Sequence, residues 1–545
     1  MAELTIVFRL RFAVALALAL GLVLCFHARD AWGAEYIVQM EAGSAPSDGA
    51  ALVERLGGDV TSPELRVING FGASLDADDA ALLEASAAVR AVTPNGGVMT
   101  SSQGSDEETS GGYRCPVADA STRVPRRLKI KRGRGRHRDS LSALTENGLP
   151  LLNAVNAPRA WLRSTGKGVG VAVIDTGIAG DLPDFRATDN PTRSRVIATA
   201  VTNPCASDAT DHFGHGTHVA GLIAGNSLNY GDRNRGAYMG IAPDANLISV
   251  KASDDDGNTT VLDVIYGIQF AVDHRQQLGI RVINLSLSST VAESYKTDPL
   301  DAAAESAWLH GIVVVAAGGN DGNQPDAVSY APGNDPYVIT AGATDDRGTV
   351  TTTDDVLASW SSRGVTQDGV SKPEVLAPGT RLVSAMAPYS DFYDMCKDCI
   401  VDGRYFRVSG TSMSAAVVSG VAALLLEEHP DWSPNHVKGA MMATLRDVPG
   451  VGGSVNAAAA LDASAEANAG LEPSSLLVPG TGDIDWERAS FRMASFRDAS
   501  GSELDPGWTM ASFRCDCFLL ANGEIDPTFS SFRMASFRRT SDFED

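Results

Sequence analysis

From about Ser142 onward the chain alternates two kinds of segment. Short runs that are almost wholly apolar, GVGVAVID, NLISVK, RVINLSLS, IVVVAAGG and YVITAGA, are separated by stretches of helical spacing. In one of these, VLDVIYGIQFAVDH, Val261, Ile265, Ile268 and Val272 recur at i, i+4, i+7 and i+11, one face of an α-helix. A strand with no polar alternation has no face for water, so both of its faces must be covered. The alternation with helices supplies the cover, and it predicts an α/β fold with a mostly parallel central sheet. In such sheets functional groups gather outside the carboxyl ends of the strands.

Four residues at such places carry reactive or polarising groups. Asp175 ends GVGVAVID, His215 lies within GHGTHVAGLIAG, Asn320 follows IVVVAAGG, and Ser412 sits in SGTSMSAA at the head of a long apolar run. Each alone has a plain reading, because Asp and Asn are common in turns and serine is a common helix cap. Their joint occurrence in one α/β domain has a chemical reading. A serine hydroxyl is a weak nucleophile at neutral pH and needs an imidazole to take its proton, while a carboxylate holds the imidazole in the correct tautomer.

The segments IDTG, HGTHVAG, AAGGNDG and GTSMSAA, in that order, together with INLSLS, YVITAGA, SSRG and KPEVLAPG, resemble the subtilisin-like serine proteases, or subtilases. The resemblance spans about 320 residues. It implies a subtilisin-like three-layer fold and a triad in which Ser412 attacks, His215 is the general base and then acid, and Asp175 orients it. Asn320 and the backbone N–H of Ser412 would receive the oxyanion. Loss of that asparagine from subtilisin costs about 100- to 1000-fold in turnover. The resemblance also implies a bound peptide paired as a strand with Ser286, Leu287 and Ser288 and with the stretch Ala316–Gly319, where Ala317, Gly318 and Gly319 also wall the specificity pocket. Ser409 falls too early in the motif to be the nucleophile, Ser414 reads as packing, His218 as core or as a support of the site rather than a base, and His212 has no assigned role. Two departures stand out: Ala416 and Val417 replace a usual Pro and His, and Gly318 replaces a usual Ala. The first is expected to alter helix packing rather than the nucleophile, and the second to matter little.

Domain organisation follows the changes in composition. Residues 1–33 carry Arg9 and Arg11, the apolar run from Phe12 to Phe26 and then small residues, the order of a secretory signal peptide rather than a membrane anchor. Residues 35–100 read as a small α+β module with strands in EYIVQMEAG, SPELRVINGFGASL and VRAVTP and a helix in AALVERLGG. By the resemblance this is the inhibitor-like propeptide domain. Residues 101–147 form a polar and basic linker, and maturation is expected between Gly97 and Leu149. The peptidase domain is assigned to 148–466, and 467–545 to a C-terminal extension with SFR repeats.

A formal net charge of −23 excludes general nucleic-acid affinity, because a phosphate polymer would be repelled. The expected partners are protein or peptide substrates and the chain's own propeptide, outside the cell and with no stable membrane anchor. Six cysteines remain once Cys25 leaves with the signal; CKDC, with Cys396 and Cys399, reads as a local disulfide or free thiols rather than half a metal site. The chemistry requires no metal. The loop SDDDGNT, Ser253 to Thr259, is read as an acidic surface turn, with a structural calcium as the alternative. The expected function is a secreted serine endopeptidase acting through an acyl-enzyme; the alternative is a catalytically inactive binding protein on the same scaffold.

Overall fold

The computed structural model describes residues 34–100 and 149–477, apart from 42, 63–64, 66–67, 96, 228–235, 450–451 and 475–476. The expected signal peptide, the basic linker and the SFR repeats lie outside the described residues.

The leading module contains β1 (Ala34–Met40), α1 (Pro46–Arg55), β2 (Asp59–Val60), β3 (Gly70–Leu75), α2 (Ala77–Glu84), β4 (Val89–Pro94) and β5 (Gly97–Thr100). The first four strands form an antiparallel sheet in the order β2-β3-β1-β4. Its core is small, built around Val38, Met40, Val53, Phe71, Leu75 and Leu83. Helix α2 is an element that strand and helix patterning missed. Its signal was present: Asp76 accepts the Asp79 N–H at 2.8 Å as an N-cap, followed by two further acids in the first turn.

The main domain carries β6 (Gly170–Asp175), β7 (Val196–Val201), α3 (His215–Ala224), β8 (Asn246–Lys251), β9 (Thr259–Thr260), α4 (Val261–Asp273), β10 (Ile280–Leu285) and β11 (Leu287–Ser289). It continues through α5 (Pro299–Leu309), β12 (Val313–Ala317), β13 (Ile339–Asp345), β14 (Val375–Pro378), β15 (Leu382–Ala385), α6 (Asp391–Met395), β16 (Ile400–Val401), β17 (Tyr405–Val408) and α7 (Thr411–Glu428). Strands β7, β8, β6, β10, β12, β13 and β14 lie side by side in that order, each parallel to its neighbours. Their all-apolar runs are buried, as the sequence pattern requires, because α3 packs with α7 and α4 with α5 to cover them. Helix α7 is apolar enough to cross a membrane by length and composition, yet 89% of it is buried inside the protein, as befits a central core helix.

Helix α4 departs from the one-sided pattern read in its sequence. Nearly every residue from Val261 to Val272 is buried, not only the face with Val261, Ile265, Ile268 and Val272. The leading module covers the rest: the side-chain oxygen of Asn95 accepts the Leu262 N–H at 3.3 Å, and Ile37, Leu65, Ile68 and Ala91 join the main core. A helix apolar on all sides needs cover on all sides, and here two domains share the task.

Candidate active site

Three neighbouring strands deliver the site to one sheet edge. Asp175 is the last residue of β6, Ser286 follows β10, and Asn320 stands three residues beyond β12, with β10 between β6 and β12. Asp175 Oδ1 receives the Thr176 N–H at 2.8 Å and meets His215 Nδ1 at 2.7 Å. That pairing leaves Nε2 of His215 as the other working nitrogen, and it is buried with no protein partner. Ser412 lies in the first turn of α7 and is bonded to Ser286 in both directions. Its Oγ donates to Ser286 O at 3.0 Å, and Ser286 Oγ donates to Ser412 O at 2.9 Å.

Local structure explains why His215 sits where it does. Gly214 precedes α3 with φ +110°, in the left-handed region, and a Cβ there would meet Ser390 Oγ at 2.7 Å. Asp211, which sequence reasoning overlooked, caps this turn. Its carboxylate accepts N–H groups from Gly214 at 2.7 Å and Thr217 at 2.8 Å, and the Thr176 hydroxyl at 2.8 Å. Thr176 in turn accepts the Gly216 N–H at 2.9 Å, so the residue after Asp175 is bolted to the residue after His215.

Thr411 is a second residue whose role the motif alone did not disclose. Its N–H and its hydroxyl both donate to Asn320 Oδ1, at 3.0 and 3.1 Å, and its Oγ1 accepts the Gly319 N–H at 3.1 Å. With Oδ1 so held, Nδ2 is the end of the planar amide that remains to donate. Asn320 is thus preoriented as a hydrogen-bond donor before any charge appears.

The neighbouring hydroxyls are occupied elsewhere. Ser409 Oγ accepts the Arg381 N–H at 2.8 Å, and Ser414 Oγ donates to Ala377 O at 3.1 Å. His218, one turn after His215, bonds Phe406 O through Nε2 at 2.9 Å; burial, aided by His215, holds its pKa down at about 3, so it stays neutral. His212 meets Asp208 at 3.0 Å, and that bond raises its pKa. Ala416 and Val417 are fully buried in a continuous α7. Gly318 has a reason: a Cβ would lie 3.0 Å from Ala341 O.

A second, smaller sheet lies beside the site. β5 is the middle strand of a three-stranded antiparallel sheet, with Val98, Met99 and Thr100 opposite Ser289, Ser288 and Leu287, and Gly97 and Val98 opposite Thr260 and Thr259. Leu287 and Ser288 therefore lie in this ladder, and Ser286, next to them in sequence, bonds Ser412. Among the described residues, Ala317, Gly318 and Gly319 are not ladder partners of β5. The other neighbour of β5 is β9, a strand that sequence reasoning missed; its Thr260 also caps α4 through a reciprocal bond with Asp263.

In the loop from Ser253 to Thr259, Asp254 accepts the N–H groups of Asp256 and Asn258 at 3.0 and 2.8 Å, and Asp255 pairs with Lys251 at 2.8 Å. Among the described residues no group of three or more His, Cys, Asp or Glu is placed to hold a metal ion. Cys396 and Cys399 are joined as a disulfide.

Comparison with known proteins agrees with this geometry. A family model described as "Subtilase family" matches residues 166–464, more than half of the 545. Serine protease AprX of Bacillus subtilis is 38% identical over 304 residues, covering 55% of this chain and 66% of that protein. Subtilisin of a Bacillus species is 32% identical over 286 residues, and subtilisin E of Bacillus subtilis 33% over 282; each match covers 51% of this chain, and 60% and 61% of those proteins. The chain thus spans just under two thirds of the length of these three relatives. The crystal structure of fervidolysin from Fervidobacterium pennivorans, a keratinolytic enzyme related to subtilisin, shares the fold with a TM-score of 0.58. That match is 23% identical and covers 87% of this chain and 65% of that one.

Proposed function

Because the chain belongs to the subtilase family, we propose that it is a secreted serine endopeptidase made as a zymogen. The observation that carries this reading is the 2.7 Å bond from Asp175 to His215, set beside Ser412 at the head of α7 and an Asn320 amide fixed by Thr411. A protein or peptide substrate would lie as a strand between β9 and β11, where β5 now lies, its backbone supplying affinity. The Ser412 hydroxyl turns from Ser286 O toward His215 Nε2 and attacks the carbonyl carbon, and the imidazole takes its proton. Asp175 stabilises the imidazolium, while Asn320 Nδ2 and the Ser412 N–H receive the charge on oxygen. The first turn of an eighteen-residue helix adds its positive end. His215 then protonates the leaving amine, and water repeats the cycle on the acyl-enzyme.

The leading module acts as the chain's own inhibitor on this reading. Its last described strand ends at Thr100, opposite Leu287 and one residue from Ser286, whose carbonyl touches the nucleophile. The maturation cut accordingly falls within Ser101–Gln103. A serine-directed fluorophosphonate should label the secreted protein, and Ser412→Ala should neither be labelled nor release the module. The mass of the released module would locate the cut. Labelling that survives in Ser412→Ala, or a native chain that neither reacts nor cleaves casein, would refute the proposal.

A further inference from the structure

Between β15 and β17 the chain makes an excursion that neither the triad nor the cleft uses. Residues 386–404 leave the hairpin, form α6, pass the Cys396–Cys399 disulfide and return through β16, which pairs with β17. Ser412 follows β17 by four residues. The excursion rests directly on the approach to His215. The N–H of Asp391 donates to His212 O at 2.9 Å, and that of Phe392 to Phe213 O at 3.1 Å. Two of the three carbonyls preceding the histidine are thus held from outside its own segment. The Phe392 ring stands edge-on to the imidazole, with centroids 6.4 Å apart at 86°, and lies 5.5 Å from Phe213 and 4.8 Å from Phe406.

Phe213, Met386, Phe392 and Phe406 form a small core apart from the main one, and Cys396 and Cys399 pack half-buried against it. Helix α6 has only five residues, far too few to hold its shape unaided. What fixes its carboxyl end is the disulfide, which ties Cys396 to the turn that starts β16.

We infer that the excursion is a redox-sensitive brace on the catalytic histidine, with Phe392 as a positioning residue and the Cys396–Cys399 bond as the clasp that seats it. The inference rests on the protease reading above. In an oxidising compartment the clasp stays closed. A dithiol reductant opens it by attack of one thiolate on a cysteine sulfur and displacement of the mixed disulfide by the second thiol. Two electrons and two protons pass to Cys396 and Cys399, and the reductant leaves as a cyclic disulfide. With the end of α6 released, Phe392 and the two backbone bonds part from residues 212–213, and His215 loses its alignment. Ladder binding between β9 and β11 does not involve the excursion, so turnover falls and KM does not. Misplacement of a reacting group by about 1 Å costs up to about 100-fold.

The test compares the wild-type protein with the Cys396→Ser/Cys399→Ser double variant, before and after dithiothreitol. Turnover is normalised to active sites titrated by a fluorophosphonate. The expected result is a fall in kcat per titrated site of about tenfold or more on reduction, with KM within about twofold. The double variant should start at the lowered kcat and ignore the reductant. Phe392→Leu should retain more of kcat than Phe392→Ala. Deuterium uptake should rise in peptides spanning 386–404 and 208–218 on reduction. A purely structural clasp would lower the number of titrated sites and leave kcat per site unchanged, which overturns the inference. So does a reductant response that persists in the double variant, which would place it at another disulfide, such as that of Cys205. Unchanged deuterium uptake overturns it too, whatever the activity shows. Absence of any phosphonate labelling in the oxidised wild type instead removes the protease reading on which it rests.

Discussion

Two groups of buried carboxylates in this protein differ in the partners that meet them. At the carboxyl edge of the sheet, Asp175 and Asp211 are met by donors: Thr176 N–H and His215 for the first, and Gly214, Thr217 and the Thr176 hydroxyl for the second. Around α5, Asp298, Asp301 and Glu305 lie on one helical face and converge with Asp335 from the turn before β13. There both oxygens of Asp301, Oε1 of Glu305 and Oδ2 of Asp335 are buried with no partner. Two buried lysines stand close by, yet Lys372 and Lys438 give their protons to backbone carbonyls, to Thr340 and to Glu374, at 2.7 and 2.9 Å for the last. Burial opposes ionisation of Glu374 as well, but the two ammonium groups outweigh it and its pKa is lowered. The acids left without such partners move the other way. Burial pushes Asp298 and Asp335 up to about 7 and Glu305 up to about 10, with Asp301 raised well above the usual range. Burial raises Asp211 too despite its donors, so it is the paired ammonium groups that keep Glu374 charged.

The largest test of that contrast is the same substitution made in both groups. Asp175→Asn takes away the charge that the imidazolium needs and presents an amide to His215, so kcat should fall about 10,000-fold, the magnitude found for this exchange in triads of this kind. Asp301→Asn should leave kcat unchanged. Equal losses from the two variants, measured per titrated site, would erase the distinction between them. Thr411→Val comes next in size. It keeps the backbone bond to Asn320 Oδ1 but removes the hydroxyl that links Asn320 to Gly319, and a drop in kcat of about tenfold with little change in KM is expected.

How much of this was legible beforehand depends on the range of the interactions. Asp175, His215, Asn320 and Ser412 could be named because each sits in a short motif at a strand or helix end, where local chain geometry dictates residue type. His218 could be set aside because a second histidine one turn on faces the core. What escaped were roles fixed by distant partners. Thr411 looks like a small residue in a turn until Asn320, 91 positions away, is placed against it. β9 looks like the tail of an acidic loop until β5 pairs with it, 163 positions from Gly97 to Thr260 at the widest. The apolar spacing of α4 disclosed one face only, because the cover of the others belongs to another module. The acid group around α5 is spaced as a helical face, a pattern that usually means a solvated one, and only the fold buries it.

The pH dependence of stability follows with a definite sign. A carboxyl whose folded pKa lies above the usual value of about 4 stabilises the fold fully below that value and loses the contribution as pH rises through the folded pKa. Asp298 and Asp335 should therefore cost stability between about pH 4 and 7, with Glu305 continuing the loss toward pH 10. Thermal unfolding of the Ser412→Ala protein, which cannot digest itself on the present reading, should show Tm falling from pH 5 to pH 9. Asp301→Asn should raise the high-pH Tm, by about 1–3 kcal/mol of stability, and change little at pH 5. A Tm that rises with pH would mean these acids are paired after all.

Glu305→Gln should have the smallest effect and is the sharpest test of how the protons are placed. Glu305 Oε2 accepts the Ser474 N–H at 2.6 Å, and so ties Ser474 to α5. Near neutral pH its carboxyl is already neutral, since burial and the neighbouring Asp335 hold its pKa at about 10. An amide keeps a carbonyl oxygen for Ser474 and offers an NH2 where the acid offered its O–H. The substitution should thus shift stability at pH 7 by no more than about 0.5 kcal/mol, within the range of a neutral surface change. At pH 10 the two proteins should separate, because only the acid can ionise and repel Asp335. A loss of several kcal/mol at pH 7 would show that Glu305 is ionised in the folded protein.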